Sequence, residues 1–311
     1  MTSARVLVPV KMAAAMVTAG TTIAEPDTAA GEVAWVSAGT YALDDLRTYS
    51  GSVWSCVKSH TGRTALPDAD PMHWLRKGPT NRMAPFDDYR STIASAATSL
   101  TYVLQPGFCN GVSLWQIEGD TYTITVKDAP GGAVVASKSS DLYAQAAGFY
   151  ELLFAPLLKL ESVSLDSIPL APAAEVTITV SAAAGNRVSI GAIKLGDWRM
   201  FIGNSDWGGV SYGASSGRQS YTYREYNDDG TLKRVIPRGH RRDVRCTVSV
   251  SAEEAMYADA ILAEIIDTAV VFEASDLPRY GYLNTLGFLS AEMSAENFAL
   301  TRIDINLKGN I

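Results

Sequence analysis

The side chains able to do chemistry are few in this chain, and they are scattered. The three histidines, His60, His73 and His240, lie in no Gly-x-Ser-x-Gly, His-Glu-x-x-His or other nucleophile or metal pattern. The three cysteines, Cys56, Cys109 and Cys246, are far apart and odd in number, with no CxxC pair and no Cys/His spacing that suits zinc. They read as reduced, buried thiols, not as a disulfide frame or a catalytic nucleophile. The pair Glu253-Glu254 falls where a helix begins, and the helix dipole accounts for it there without acid–base chemistry. A glycosidase needs two carboxylates at a set separation, and none of the 33 acidic residues falls in a recognisable cleft motif. The turns "DLPRYGYLN" and "ALPDADP" lack the EF-hand spacing for calcium. The expectation is therefore no enzyme, no cofactor and no metal site.

Rings and arginines remain. The stretch "YSGSVWSCVKSHTG", Tyr49 to Gly62, places two aromatics and a cysteine around Gly-bounded turns, with Trp35, Tyr41 and Trp74 on either side. A flat ring can stack on the C–H face of a pyranose while polar neighbours orient the hydroxyls. In a segment with little else to bury, the same tryptophans (Trp35, Trp54, Trp74) can instead be the core. Further on, Arg238, Arg241, Arg242 and Arg245 lie in or just before a strand that follows the aromatic "SYTYREY". Arginines interleaved with tyrosines suit nucleic-acid backbones and bases. Interspersed acids and a net charge of -7 argue against that partner, and against an anionic membrane surface. Arg238, Arg241 and Arg242 are better read as part of a solvated or subunit-facing strand, where they are candidates to fork to carboxylates on a neighbour.

The elements that must position these groups are mainly β. A length of 311 residues allows two or three domains, and 47% apolar against 19% charged residues marks a folded chain, not a disordered one. Residues 1–31 mimic a signal peptide, but Pro9 and Lys11 interrupt the apolar run, which is too short and too broken to span a bilayer. They are expected to form an extended docking arm. Residues 32–78 alternate short aromatic runs with Gly, Asp and Pro turns, as a small strand-and-turn module does. Residues 79–90, punctuated by Pro79 and Pro85, read as a linker. Within 91–195, "TSLTYVLQPG", "GVSLWQIEG", "TYTITVKD", "YELLFAPL", "AEVTITVSA" and "RVSIGAIKLG" are short strands at regular spacing, which predicts an antiparallel β-sandwich. Residues 196–311 form a second β-rich domain, with a hairpin around Asp228-Asp229-Gly230. Its helix is expected over 252–267, opened by a Ser251/Glu254 capping box, with Ala255, Ala258, Ile261, Leu262 and Ile265 on one stripe.

Two family resemblances follow from these segments. The order Ala34-Trp35, Tyr41, Asp44-Asp45, Tyr49-Ser-Gly51, Val53-Trp54, Pro67 and Trp74 resembles the small chitin-binding type of carbohydrate-binding module. That resemblance implies Trp35, Tyr41 and Trp74 as a glycan-binding face. Against the pattern, Asp44-Asp45 replaces a Gly-Asp pair, and Lys58-Ser59-His60 stands where chitin binders carry paired tryptophans. Such a module followed by "GPTNRMAPFDDYRS" and a long β-region resembles a family of tail proteins of tailed bacteriophages and prophages. "SIGAIKLG", "FIGNSDWGGVSYG" and "RYGYLNTLGFL" follow in the order that family shows. The resemblance implies a structural virion protein of a tail tip or baseplate, assembled in the host cytoplasm. Its partners would be other tail proteins, further copies in a symmetric ring, and host surface polysaccharide. The alternatives are a secreted polysaccharide-degrading enzyme with an appended module, and an oligomer whose module makes protein contacts only.

Overall fold

The computed structural model describes residues 4–89, 92–143, 148–154, 159–201, 209–275 and 277–310. The chain is mainly β and its strand pairs are antiparallel, as the alternating patterns predict. It divides into two compact units, one of residues 11–193 and one that joins residues 1–10 to 194–311.

The 11–193 unit holds both the small module and the sandwich strands. A four-stranded sheet runs Val134–Asp141, Thr121–Lys127, Glu175–Ser181, Ser99–Leu104 in spatial order. Its alternation is strict where two neighbours pair: Tyr122, Ile124 and Val126 are buried beside Val176, Ile178 and Val180, while the threonines between them face outward. The strands Gly111–Glu118 and Ser162–Leu165 pair with each other, and Ala94–Ala96 pairs with the first residues of Val188–Met200. One stretch expected as a strand is not one. In "YELLFAPL" the residues Phe149–Phe154 form a short helix, in keeping with the helix preference of Glu and Leu, and 155–158 lie outside the described residues.

Two expected boundaries are corrected. The expected linker 79–90 is packed over its described residues 79–89: Thr80 donates to Glu25 Oε2 at 2.8 Å, Arg82 Nη2 donates to the Val17 and Thr18 carbonyls, and Tyr102 Oη donates to the Arg82 carbonyl. The docking arm 1–31 is also built in. Its Met16–Thr22 part covers the free edge of Ser99–Leu104, with Thr18 N–H donating to Val103 and Thr22 N–H to Thr101. A covered edge offers no template for stray strand pairing, which is the physical reason for spending chain there.

The first residues belong to the other unit. Arg5–Pro9 is an interior strand, paired with Gly196–Met200 on one side and with Val271–Glu273 on the other. Gly196 allows this approach, because a Cβ there would lie 1.9 Å from the Val8 carbonyl oxygen. The sheet continues through Ala269–Glu273, Thr285–Ala295, Leu300–Gly309 and His240–Ser251. On its inner face Val6, Val248, Phe272, Ile303 and Ile305 share a core with Ala258, Ile261, Leu262 and Ile265 of the helix. That helix starts with a 3-10 turn at Ala252–Glu254 and continues as α-helix over Ala255–Ile265. Ser251 caps it by accepting from Glu253 N–H at 3.3 Å. The capping box is incomplete, since Glu254 Oε2 is buried without a hydrogen-bond partner.

Candidate functional site

The small module is built on a three-stranded sheet, Leu46–Tyr49, Ser52–Cys56 and Trp74–Pro79, with a second pair from Thr40–Tyr41 and His60–Thr61. The opening turn holds Ser50 at φ 49° and Gly51 at φ 72°, between the paired Tyr49 and Ser52. Two positive φ values in a two-residue loop make the hairpin type that matches strand twist. A Cβ on Gly51 would also lie 2.9 Å from Met83 Cγ, so glycine is required there twice over.

The structure brings Tyr41 and Trp74 together, but in the core. Trp74 is 2% exposed and Tyr41 4%, and their rings meet edge-on at 4.9 Å, with Cys56 beside them. The Tyr41 hydroxyl donates to the Val36 carbonyl and accepts from the Val36 N–H, so its polar end is fully used. A glycan-stacking face made of Tyr41 and Trp74 is therefore corrected: a module this small has few other groups to bury, and its rings turn inward. Trp35 differs. It is only partly buried, packs against that cluster, and stands edge-on to Tyr49 at 5.6 Å. Tyr49, which the motif placed in the hairpin and not on the face, is the ring that Trp35 meets.

Two histidines belong to the same core. His60 lies 5.4 Å from the Trp74 ring and 5.0 Å from His73, ring centre to ring centre. His73 Nδ1 donates to Asp70 Oδ1 at 2.9 Å, and Arg63 Nε donates to Asp70 Oδ2 at 3.1 Å. The His73 hydrogen bond, followed by the Arg63 charge, holds the Asp70 carboxyl below the usual carboxylate value. The Cys56 thiol is pushed up by burial, so Cys56 beside His60 at 3.7 Å is not an activated thiolate. Among the described residues no group of three or more His, Cys, Asp or Glu side chains is placed to hold a metal ion.

The arginines are dealt with unequally. Arg241 Nε pairs with Asp243 at 3.0 Å, Nη2 donates to Gln219, and the guanidinium lies 5.4 Å from the Tyr221 ring centre. Arg242 Nη1 donates to the Asn284 carbonyl at 3.5 Å. Both thus make contacts within their own chain. Arg238 is exposed, as are Arg224 and Arg245. Between them stands the expected hairpin, Tyr223–Tyr226 with Leu232–Ile236. Its turn is closed by Asn227 N–H on the Thr231 carbonyl and by Asp229, which accepts from Thr231 N–H and Oγ1. These Thr231 donors keep the Asp229 carboxyl low.

A shallow concavity of about 750 Å³ opens on the solvent face of His240–Ser251, Thr285–Ala295 and Leu300–Gly309, where Tyr212, Arg245, Glu292, Arg302 and Asp304 line it. Asp304 accepts from Thr247 Oγ1 at 2.6 Å and from Arg302 Nη2 at 2.9 Å, and these donors hold its carboxyl low. The neighbouring Cys246 thiol is pushed up to about 12, by burial first and by the Asp304 charge second.

Compared with known proteins, the chain matches no family model, no curated protein and no solved structure. No helix among the described residues is long and apolar enough to cross a membrane.

Proposed function

We propose that the chain is a structural virion protein of a phage tail tip or baseplate, assembled in the host cytoplasm, that works by docking to other tail proteins. The observation that carries this reading is the hairpin Tyr223–Ile236. Among the described residues its two strands pair with no third strand, and its Tyr223, Tyr226, Leu232 and Val235 side chains are all exposed. A two-stranded hairpin alone is marginally stable in water, and rings and aliphatics grouped on such an element mark an interaction surface. The small module supplies the second part of the proposal: weak glycan contacts through Trp35 and Tyr49, multiplied by copy number into attachment to the host surface.

A second reading has its own support. Burial of Tyr41 and Trp74 favours a module that serves as scaffold and makes protein contacts only. The two readings separate in one experiment. Purified tailed particles from the strain that encodes the chain are labelled with antibody to it, and the isolated protein is tested against bacterial surface polysaccharides and chitin oligomers beside Trp35→Ala. Label at the tail tip with glycan binding that Trp35→Ala abolishes supports attachment; label without any glycan binding supports the scaffold. Particles without label overturn the virion assignment.

A further inference from the structure

We propose that the outer face of the sheet in the 1–10/194–311 unit is a binding site for a neutral saccharide chain. The site lies outside the small module, so it depends neither on the module's rings nor on the virion reading. Its floor is written in the alternation of "VRCTVSVS" and "TRIDINL". Val244, Cys246, Val248, Ile303, Ile305 and Leu307 are core, which turns Arg245, Thr247, Ser249, Arg302, Asp304 and Asn306 outward. The register sets these side chains in rows across three strands. Arg245, Asn306 and Ser290 form one row, and Thr247, Asp304 and Glu292 form the next. No apolar side chain stands in either row. Three strands and five residues make a floor about 10 Å wide and about 14 Å long.

Part of this floor is locked and part is left over. Asp304 fixes Thr247 and Arg302 by accepting from both, and Ser290 Oγ donates to the Asn306 carbonyl. Among the described residues the side chains of Arg245, Glu292, Glu296 and Asn306 make no hydrogen bond or ion pair, and all four line the 750 Å³ concavity. The loop Ser211–Gly213 borders the floor, where Ser211 N–H donates to the Thr247 carbonyl at 2.9 Å, and its Tyr212 is 84% exposed. The lining selects the ligand. Two guanidinium groups, Arg245 and Arg302, stand with three carboxylates, Glu292, Glu296 and Asp304, so neither sign dominates as a polyanion or a metal ion requires. Pockets for apolar molecules are lined mainly by hydrophobic and aromatic groups, and this floor is polar. The ligand that fits is uncharged, rich in hydroxyls and able to lay a C–H face on a ring. Planar guanidinium, amide and carboxylate groups fork onto neighbouring hydroxyls, and Tyr212 supplies the ring. Groups held in place before binding lose little freedom on binding. A free sugar and a polysaccharide share this chemistry, and the length of the floor suits a chain.

Calorimetric titration of the full chain tests this, with cellohexaose, maltohexaose, mannohexaose and chitohexaose beside glucose and N-acetylglucosamine. At least one hexaose should bind, more tightly than either monosaccharide, and with the same Kd in Trp35→Ala. Tyr212→Ala should weaken that binding about three- to tenfold. Arg245→Ala with Glu292→Ala should weaken it about tenfold or more. All three side chains are exposed, so both variants should melt with the wild type when followed by circular dichroism. A hexaose lost in Trp35→Ala and held unchanged by both variants would overturn this site and leave the module's glycan reading in place. Binding that survives Trp35→Ala and falls in Tyr212→Ala and in the double variant would support the site and remove the module from glycan attachment. A wild type that binds none of the four hexaoses, or binds the monosaccharides as tightly, would overturn a saccharide-chain site.

Discussion

The Trp74 indole and the Trp35 indole have the same chemistry and different neighbours, and the neighbours set what each can do. Trp74 is enclosed by Tyr41, Cys56 and His60, so its removal leaves a cavity that so small a core cannot close. Trp74→Ala should lower module stability by about 3–5 kcal/mol in chemical denaturation, whereas Trp35→Ala should cost about 1 kcal/mol. Equal losses would mean that Trp35 is as fully core as Trp74. Asp70 sets the acid response. Its carboxyl is held below its ordinary 3.8 by His73 and then by Arg63, so the stabilisation is fully present above about pH 4. It is lost as pH falls through the lower, folded-state value. The stability gap between wild type and Asp70→Asn, measured by thermal unfolding, should therefore shrink as pH drops below about 4. A gap that stayed constant down to pH 2 would show that Asp70 gains nothing from its partners. At this scale the sequence announced the rings but not their direction, because a spacing of aromatics does not say which side of a tiny sheet faces water.

Among the elements, periodic ones were legible and the first strand was not. The helix stripe Ala258, Ile261, Leu262, Ile265 faces the core as its spacing predicts, and only Ala255 is half-buried at its margin. The Asp-Asp-Gly turn correctly placed the Tyr223–Ile236 hairpin. "RVLVP" is five residues with no alternation and a proline, so nothing local marks it as interior; its place comes from partners about 190 and 270 residues away. Arg5 there pairs with Glu273 at 2.6 Å and lies 4.5 Å from the Trp198 ring centre. Deleting residues 1–9 removes an interior strand and strands the Glu273 charge, which costs about 3–5 kcal/mol for the broken pair alone. The shortened protein should lose the cooperative thermal transition of its 1–10/194–311 unit. A dispensable docking arm would leave that transition intact.

Over the whole molecule, the continuity of each unit predicts how it can be made. Residues 11–193 form one uninterrupted unit and should fold when expressed alone, with a cooperative transition and dispersed amide resonances. Residues 194–311 alone should stay unfolded or aggregate until a peptide of residues 1–10 is supplied, since an unpaired interior strand position exposes two backbone edges at once. A folded 194–311 fragment would show that the N-terminal strand is an accessory. Alternating patterns in "TYTITVKD" and "EVTITVS", the helix stripe and the hairpin turn were written in the local sequence, because period and turn chemistry act over a few residues. The mainly β class and the sandwich character follow from them. The placement of residues 1–10 in the C-terminal unit, the packing of 79–89, the burial of Tyr41 and Trp74, and the contacts of Arg241 with Gln219 and of Arg242 with Asn284 were decided by long-range pairing. Those choices are made by whichever distant edge or cavity each segment fills, and no window of sequence contains both sides of such a contact.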